Sequence, residues 1–479
     1  MIERKIRIFN TLSQKKEDLV PSDGRTVRMY VCGPTVYSSA HIGHGRAAIT
    51  FDVIQRFLKK VGYKVDYARN FTDIDDKIIN KSKEMGIPSE EVARIYTEEY
   101  KTDMAFLGIE TPTYEPKVTE HIPEIIELIK TIIDKNYAYE SDGDVFFSIK
   151  KFRGYGKLSR RSPDEMLAGI RIDINERKDD PLDFALWKGA KPGEPWWESP
   201  WGKGRPGWHI ECSAMSMKYL GNGFDIHGGG KDLIFPHHEN EIAQSEAATG
   251  EEFVKYWVHN GLIQINREKM SKSLGNIISI KDALSRWSRE AIRMFFLSHH
   301  YQNPADFSEK AMDESEIALE RLYITLKRAD DLRKEVKKDD EELRSILEVF
   351  KTKWVETMSD DFNTADALGN LFDLTRAVNR SIDSSGWTGA LREVLEEIRR
   401  FGVVLGILEL TPDDYLKRER LSKKSLEITE DEIQQLIEER TAARKEKNWK
   451  RADEIRVYLD SKGITLEDTP KGTIWKVKS

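Results

Sequence analysis

Two histidines around a glycine are the first residues of this 479-residue sequence whose types and spacing could do chemistry. The segment His41-Ile-Gly-His44 stands between an apolar stretch and the first helix-like pattern. Histidine donors at a helix start, together with the amides of that helix end, can approach negative charge on phosphate oxygens, and Gly43 allows a close backbone approach. The same spacing also suits a metal site or a simple turn, so three interpretations of the pair stay open.

A second cationic element follows much later in the chain. The segment Lys269-Met-Ser-Lys-Ser273 places two lysines among small residues and leads into Gly275 and Asn276. Such a loop can close over a polyphosphate and supply positive charge only when it closes. A solvated surface loop is the plain alternative for this segment taken alone. Both elements in this order favour nucleotide chemistry, with these candidate residues: His41, Gly43, His44, Lys269, Ser271 and Lys272.

The sequence contains only two cysteines, Cys32 and Cys212. In a reducing compartment a structural disulfide is not expected, and two buried thiols that behave as small apolar groups are the ordinary interpretation. A thiolate is also a strong zinc ligand, and Cys32 ends the first predicted strand, beside the histidine pair.

A histidine and a glutamate form a second candidate ligand pair. Pro236 and Gly250 favour a helix over 236–249, in which His237 and Glu241 stand at i and i+4 on one face. Such pairs are common on helix surfaces, so the pair alone does not establish a metal site. Two thiolates, an imidazole and a carboxylate would suit tetrahedral zinc, but spacing alone does not bring the four side chains together.

The motifs around these residues resemble those of the class I aminoacyl-tRNA synthetases, and among them the cysteinyl-tRNA synthetases. The histidine and lysine elements match the two signatures of the class. Three segments match the cysteinyl family: Cys-Gly-Pro-Thr-Val-Tyr at 32–37, Gly-Trp-His-Ile-Glu-Cys-Ser at 207–213, and Phe-Pro-His-His-Glu-Asn-Glu at 235–241. The resemblance extends over essentially the whole chain.

The resemblance implies a reaction and roles for the candidate residues. It implies activation of L-cysteine with ATP and Mg²⁺, followed by transfer to tRNA(Cys) with release of AMP and pyrophosphate. His41 and His44 would stabilise the phosphates. Lys269 and Lys272 would hold the leaving pyrophosphate.

The resemblance also implies one zinc ion per chain. The family's zinc ligands fall on these residues: Cys32, Cys212, His237 and Glu241. A soft thiolate–zinc bond would distinguish cysteine from serine, which the shape of a pocket does poorly.

Four further positions match residues that line the family's cysteine pocket: Thr72, Trp208, His227 and Asp232. Each also has a plain structural interpretation. In the same order these are a turn hydroxyl, a packed indole, a hydrogen-bonded core histidine and a loop carboxylate.

The elements that must position these side chains follow from the hydrophobic pattern. A strand over 27–32, a helix from near His44 to Gly62 and a strand over 64–70 form a βαβ unit, which predicts a parallel sheet. The expected fold class is therefore α/β, with a Rossmann-type parallel-sheet catalytic domain over 1–304. Within it we expect an irregular insertion at about 150–208, rich in Gly, Pro and Trp, and a mobile loop at 269–273.

Long amphipathic helices dominate the pattern beyond Pro304. We expect an α-helical bundle over 305–412, a polar linker over 412–425, and a small α+β module within 413–479. The resemblance implies that the bundle binds tRNA and that the small module binds the anticodon. In that module Trp449 is surrounded by cations, which suits stacking on an unpaired base while the cations meet phosphates. A solvated charge run on an amphipathic helix is the alternative. The cations are Arg444, Lys445, Lys447, Lys450 and Arg451.

Bulk properties place weak limits on function. The formal net charge of −7 argues only weakly against a nucleic-acid partner, because charge distribution matters more than the total. The first residues lack the apolar core of a signal peptide, and no apolar run is long enough to span a bilayer. We therefore expect a cytoplasmic protein without a membrane partner, and a monomer.

Two other functions share parts of this pattern. Cysteine ligases that join activated cysteine to an amino sugar, as in mycothiol synthesis, resemble the catalytic part but lack the long tail, so residues 413–479 discriminate against them. A non-catalytic RNA-binding paralogue would have lost signature residues. The signatures and all four candidate zinc ligands are present here.

Overall fold

The structure of the protein is a computed structural model in which the chain forms two compact units. The first comprises Met1–Glu316, Ser345–Leu374 and Arg400–Ile407, and the second comprises Ile317–Arg344, Thr375–Arg399 and Leu408–Ser479. The structure describes residues 5–161, 165, 178–265, 268–270, 275–332, 340–423, 430–446, 448–462, 464–469 and 472–477.

The described residues alternate strands and helices up to about Leu297 and are mainly helical beyond it. The strands are β1 Arg7–Asn10, β2 Lys15–Asp18, β3 Thr26–Val31, β4 Lys64–Arg69, β5 Ala138–Ser141, β6 Asp144–Phe147, β7 Phe184–Gly189, β8 Gly204–Pro206, β9 Phe224–Gly230, β10 Val254–Asn260, β11 Ile263–Ile265, β12 Glu268–Lys269, β13 Ala305–Phe307, β14 Ile464–Thr469 and β15 Gly472–Val477. The helices are α1 Ile42–Lys60, α2 Asp76–Met85, α3 Ser89–Phe106, α4 Ile122–Asp134, α5 Trp208–Leu220, α6 Glu239–Thr249, α7 Ile280–Arg286, α8 Arg289–Leu297, α9 Glu309–Asp331, α10 Glu341–Ser359, α11 Thr364–Ser385, α12 Gly389–Leu405, α13 Pro412–Lys423, α14 Glu430–Lys445 and α15 Trp449–Ser461.

A parallel sheet with strand order β10-β9-β3-β4 forms the core of the first unit. The predicted strand–helix–strand unit is confirmed as β3, α1 and β4, with bounds within a few residues of those expected. Apolar side chains of α1, including Ile49, Phe51 and Phe57, are buried. Doubly wound sheets of this kind bind ligands at the carboxyl ends of their strands.

The carboxyl ends of the parallel strands bring the candidate site residues to one edge of the sheet. Cys32 directly follows β3, Asn70 follows β4, and Gly230 ends β9. Two glycines allow the close packing there. A Cβ at Gly33 would overlap the carbonyl oxygen of Asn70, and one at Gly228 would overlap the ring of Phe51.

The insertion differs from its prediction. Residues 138–206 contain the four-stranded antiparallel sheet β5-β6-β7-β8, so its described part is regular and begins before residue 150. The strands β5 and β6 have four residues each, and the β6–β7 register shifts between Val145 and Phe146. Strands this short, with a shifted register, leave little alternating pattern in the sequence.

The helical region also corrects two predictions. Residues 345–374 belong to the first unit, where the rings of Trp354 and Phe57 pack 5.8 Å apart, so the predicted boundary at 304 does not separate the compact units. Residues 412–423, expected to be a linker, form α13. Its Tyr415 is buried and stacks on Tyr323 with ring centroids 3.9 Å apart. Lys417 also lies over the ring of Trp475 at 3.9 Å, so tertiary contacts fix a helix that has no apolar stripe.

The C-terminal residues of the second unit form two helices and a terminal strand at Gly472–Val477, as the sequence predicts, and a further strand at Ile464–Thr469 that the sequence did not predict. The helices α14 and α15 and the antiparallel hairpin β14–β15 surround a small core that includes Ile433, Ile455 and Trp475. Across the described residues, none of the helices is both long enough and apolar enough to cross a membrane.

Candidate active site and metal centre

The four predicted metal ligands converge although they come from distant parts of the chain. The ligand atoms of Cys32, Cys212, His237 and Glu241 all lie within 4.8 Å of one another. The two Sγ atoms are 3.7 Å apart, and Glu241 Oε1 lies 3.5 Å from Cys32 Sγ and 3.1 Å from His237 Nε2. Cys212, His237 and Glu241 are buried, and Cys32 is partly exposed.

Each of these side chains is held by a different element. Cys32 follows β3, and its backbone amide donates to the carbonyl of Gly228 at 3.2 Å. Cys212 lies in α5, while Glu241 lies in the first turn of α6. The helix predicted over 236–249 begins at Glu239, after an irregular helical turn at Ile234–His238 that carries His237.

The separations of these atoms suit zinc. Tetrahedral zinc with bonds of about 2.3 Å to sulfur and about 2.0 Å to oxygen holds two sulfurs about 3.8 Å apart and a sulfur and an oxygen about 3.5 Å apart. The corresponding distances here are 3.7 and 3.5 Å. Thiolate, imidazole and carboxylate are also the ligand types that zinc takes in proteins.

Burial opposes charge on these ligands unless a cation is present. It raises the pKa of Cys32 well above its usual range, because a thiolate is poorly solvated there and Cys212 and Glu241 lie close by. Burial likewise lowers the pKa of His237 well below its usual range. A divalent cation would reverse the balance for the thiols, since a coordinating thiol is deprotonated.

Histidines that the sequence interpretation did not assign as ligands surround the cluster. Cys32, His227, His238 and Glu241 form a second, overlapping group of possible ligands, with His238 Nε2 3.3 Å from Cys32 Sγ. His209 Nδ1 lies 2.9 Å from His237 Nδ1, which leaves the other nitrogen of His237 directed at Glu241. The adjacent pair at 237–238 was the only signal in the sequence for the second group.

The predicted phosphate-binding histidines form the start of α1. His41 caps the helix, and its Nδ1 accepts from the amide of Gly43 at 3.1 Å, while Nδ1 of His44 accepts from the amide of His41 at 3.2 Å. The two rings stack with centroids 3.8 Å apart. A Cβ at Gly43 would lie 2.9 Å from the His41 ring and 3.1 Å from the terminal methyl of Met270, so glycine keeps this approach open.

A cavity of about 420 Å³ joins the histidine pair to the cysteine cluster. Polar and aromatic side chains from both regions line it, including Cys32, His41, His44, Lys77, Trp208 and Asp232. The indole of Trp208 also stacks on the ring of His237 at 4.2 Å. The histidine pair predicted to bind phosphate and the potential metal ligand Cys32 therefore face one space.

The four predicted pocket residues divide into two pairs. Trp208 and Asp232 line the cavity, whereas Thr72 and His227 are not among its described lining residues. The hydroxyl of Thr72 donates to Glu211 at 2.9 Å, and His227 Nε2 lies 2.8 Å from Glu241 Oε2. Both are buried and contact groups beside the cysteine cluster.

The lysine element is only partly described. Lys269 lies in β12, opposite Gln264 of β11, and Met270 lines the cavity. Ser271 and Lys272 lie outside the described residues. Of the cations predicted around Trp449, Lys447 also lies outside them, while Trp449 itself is 58% exposed at the start of α15.

Three family models match successive parts of the chain. The model described as "tRNA synthetases class I (C) catalytic domain" matches residues 18–317, the "DALR domain" matches 353–409, and the "Cysteinyl-tRNA ligase anticodon binding domain" matches 429–475. The first model alone covers more than half of the chain.

Similar proteins extend over the full length. A cysteine–tRNA ligase of Geobacter metallireducens is 53% identical over 99% of this chain and 100% of its own length. One from Thermodesulfovibrio yellowstonii is 52% identical with the same coverage. Both match the whole chain, including the tail beyond residue 412.

Solved structures share the fold at low sequence identity. Mycobacterium tuberculosis methionyl-tRNA synthetase, in complex with methionyl-adenylate, aligns with a TM-score of 0.63 and 16% identity, covering 82% of this chain and 93% of its own. LeuRS of Agrobacterium radiobacter, in a ternary complex with tRNA and LeuAMS, gives 0.57 and 12%, covering 82% and 87%. With its parallel-sheet core and full-length relatives, this chain belongs to the cysteine–tRNA ligase family of class I aminoacyl-tRNA synthetases.

Proposed function

We propose that this enzyme activates L-cysteine with ATP and Mg²⁺ to cysteinyl-adenylate and transfers the cysteinyl group to the 3′ end of tRNA(Cys). In the first step a carboxylate oxygen of cysteine bonds to the α-phosphorus and pyrophosphate leaves. In the second, a terminal hydroxyl of the tRNA attacks the carbonyl carbon and AMP leaves. The observation that carries this proposal is one cavity lined both by the histidine pair at α1 and by Cys32, whose Sγ lies in the cluster with Cys212, His237 and Glu241.

The start of α1 is proposed to hold the phosphates. His41 and His44 are stacked and fixed by the helix-capping bonds, and the amides and dipole of the helix end add positive potential. Gly43 leaves room for the ligand beside the rings. Lys269, Ser271 and Lys272 are proposed to close over the triphosphate and to stabilise the leaving pyrophosphate.

The cysteine cluster is proposed to hold one zinc ion per chain, with Cys32, Cys212, His237 and Glu241 as ligands. Zinc bound there would supply a preference for a thiolate over the hydroxyl of serine. The protein positions the ligands from separate elements and keeps His237 oriented through His209. This set uses both thiols, whereas the group with His227 and His238 uses one.

The remaining pocket residues are proposed to orient the amino acid. Asp232 lines the cavity as a carboxylate and would bind the ammonium group of cysteine, while Trp208 forms an apolar wall. Thr72 and His227 would not contact the amino acid directly. They would instead fix the positions of Glu211 and Glu241 through hydrogen bonds.

The C-terminal module is proposed to bind the anticodon. The exposed ring of Trp449 offers a stacking surface, and the described cations lie close to it in sequence: Arg444, Lys445, Lys450 and Arg451. Arg451 is also paired with Glu439 and Glu454, which reduces its share of the positive charge. The anticodon-binding match over 429–475 supports RNA as the partner and speaks against an amino-sugar acceptor.

Two assays test the proposed reaction. Purified protein should exchange labelled pyrophosphate into ATP only when cysteine is present, and should charge a tRNA(Cys) transcript when tRNA is added. Cysteine-dependent exchange without charging of any tRNA would leave the amino-sugar ligase as the better function. RNA binding without exchange would favour the non-catalytic paralogue.

Metal analysis tests the zinc site separately. The active protein should contain one zinc per chain, because both cysteines are used in one cluster of described ligands. Active protein free of zinc would contradict the proposed selectivity mechanism and leave the ligase activity standing.

A further inference from the structure

A buried arginine that none of the roles above uses lies beside the histidine pair. Arg69 ends β4, and its side chain is only 5% exposed, yet it is among the residues that line the active-site cavity. Its Nε and Nη1 atoms are buried and have no hydrogen-bond partner among the described residues. A buried guanidinium with unsatisfied donors is costly, and such a group needs an explanation, of which an absent ligand is one.

The surroundings hold the guanidinium toward the start of α1. It lies 5.3 Å from the centre of the Tyr100 ring, and the same ring packs edge-on against His44 at 6.4 Å. The stem packs beneath Gly33, where a Cβ would lie 3.4 Å from Arg69 Cγ. Tyr100 therefore links the arginine to one of the two proposed phosphate-binding histidines.

Two cations lie beside the carboxylate of Glu115. Nη2 of Arg69 lies 3.6 Å from Glu115 Oε1, and Nζ of Lys101 lies 3.3 Å from Oε2 of the same carboxylate. One carboxylate thus serves two cations. The distance to Arg69 is also too long for a good hydrogen bond, so the pairing does not saturate the guanidinium.

We propose that Arg69 is a binding residue for the phosphoryl groups of the nucleotide and holds the pyrophosphate end of ATP together with His44. This inference rests on the proposed function. A guanidinium is always charged, presents donors in a rigid plane and suits phosphate oxygens, and its bonds strengthen in a cavity that excludes water. Contact with Tyr100 orients the plane before the nucleotide arrives.

Direct binding of inorganic pyrophosphate with Mg²⁺, measured by calorimetry on the full-length protein, tests the assignment without any reaction. The R69Q variant removes the charge and should weaken pyrophosphate binding about tenfold or more. R69K keeps the charge but loses the planar donors, and should fall between R69Q and wild type. Unchanged pyrophosphate affinity in folded R69Q would overturn the proposal.

A second variant, E115Q, should change the pyrophosphate affinity in the opposite direction to R69Q. In E115Q the guanidinium stays in place but loses its carboxylate partner, so pyrophosphate should bind several-fold more tightly than to wild type. A merely structural ion pair predicts no such gain, and equal or weaker binding would overturn the proposal. If R69Q does not fold, E115Q decides the question alone.

Kinetic measurements test whether Arg69 binds pyrophosphate or one of the other anionic groups in the reaction, on the amino acid or the tRNA. Pyrophosphorolysis of enzyme-bound cysteinyl-adenylate by R69Q should need a higher pyrophosphate concentration. The cysteine concentration for half-maximal exchange and the rate of transfer from preformed adenylate to tRNA should stay near wild type. A defect confined to cysteine or to tRNA transfer would assign Arg69 to the amino acid or the tRNA end and overturn its assignment to pyrophosphate. Absence of cysteine-dependent ATP–pyrophosphate exchange in the wild-type protein would contradict the proposed function. The calorimetric measurement of pyrophosphate binding would still test the role of Arg69.

Discussion

At the scale of single residues, the site brings together ligand groups whose charged forms are each destabilised by desolvation but could share one cation. A partly exposed thiol, a buried thiol, a buried imidazole and a buried carboxylate lie within 4.8 Å of one another, in a place where desolvation raises the pKa of Cys32 and lowers that of His237. Charged ligands there need a cation to offset their desolvation. In the proposed function the same groups determine what the site recognises, because a metal bound there would favour sulfur over oxygen in a substrate.

Replacing Cys212 by serine tests this selectivity. A neutral hydroxyl in place of a thiolate should lower the zinc content and slow cysteine activation. It should also shrink the preference for cysteine over serine by about a hundredfold or more, because the pocket that remains distinguishes the two substrates only by a thiol and a hydroxyl. Exchange assays with each amino acid and metal analysis of the variant measure the effect.

Ser216→Ala is the matched control for that variant. Ser216 is buried in α5 about one turn beyond Cys212, and its hydroxyl donates to the carbonyl of Ser213 at 3.2 Å. It should retain zinc and the wild-type preference. A folded, zinc-free Cys212→Ser that still prefers cysteine by the wild-type factor would show that the metal is only structural.

At the scale of elements, the positions of the histidine rings at the start of α1 depend on Gly43 having no side chain. Gly43→Ala should reduce adenylation at least about tenfold, because the added Cβ would lie 2.9 Å from the ring of His41 and displace a phosphate-binding group. Thermal stability should change little, since alanine favours the helix. Gly369→Ala, in α11, is the control, because its added Cβ would have no neighbour within 4 Å. Equal exchange rates in both variants would mean that the histidine rings are not positioned by Gly43.

The helix α3 carries a buried carboxylate, Asp103, whose ionisation opposes folding. Burial raises the pKa of Asp103 to about 6, with Lys281 lowering it and Glu99 adding to the rise. The unfolded chain keeps the usual value of 3.8, so ionisation destabilises the fold progressively as pH rises from about 4 to 6 and fully above that. Asp103→Asn should therefore raise the free energy of unfolding at pH 8 by about 1–2 kcal/mol and give no gain near pH 3.5.

Denaturant unfolding of Asp103→Asn at several pH values measures this effect. Glu98→Gln, which removes an exposed carboxylate from the same helix, should show no comparable pH dependence. A gain for Asp103→Asn that is the same at pH 3.5 and pH 8 would mean that ionisation is not its cause.

The structure could be predicted from the sequence where an element has a long, local hydrophobic pattern. It could not be predicted where contacts between residues distant in sequence determine the local structure. The unit of β3, α1 and β4 has apolar residues at regular strand and helix spacings, which give its bounds closely. The four-residue strands β5 and β6 give no such pattern, and α13 depends on tertiary contacts such as the one between Tyr415 and Tyr323. The convergence of Cys32 and Cys212, which are 180 residues apart in the chain, came from the resemblance and not from spacing.

At the scale of the whole molecule, catalysis and RNA recognition are assigned to different parts of the chain. The cavity and the cysteine cluster are built by residues before 305, whereas the anticodon-binding match covers 429–475. The place of a truncation matters, because α13 is no linker. A chain that ends at Pro412 would lose Tyr415 and expose Tyr323, which would disturb the helical core of the second unit.

Ending the chain at Lys423 therefore tests the division of labour more cleanly than ending it at Pro412. The longer truncation product keeps α13 and should retain cysteine-dependent ATP–pyrophosphate exchange within about twofold, because every described residue of the proposed active site remains. Charging of tRNA(Cys) should fall about tenfold or more, since the stacking surface at Trp449 and its cations are gone. Trp449→Ala in the full chain should reproduce part of that loss. Exchange and charging could instead fall by the same factor in a truncated protein whose circular dichroism spectrum is intact. The tail would then support the catalytic domain, and the result would contradict a separate anticodon-binding role.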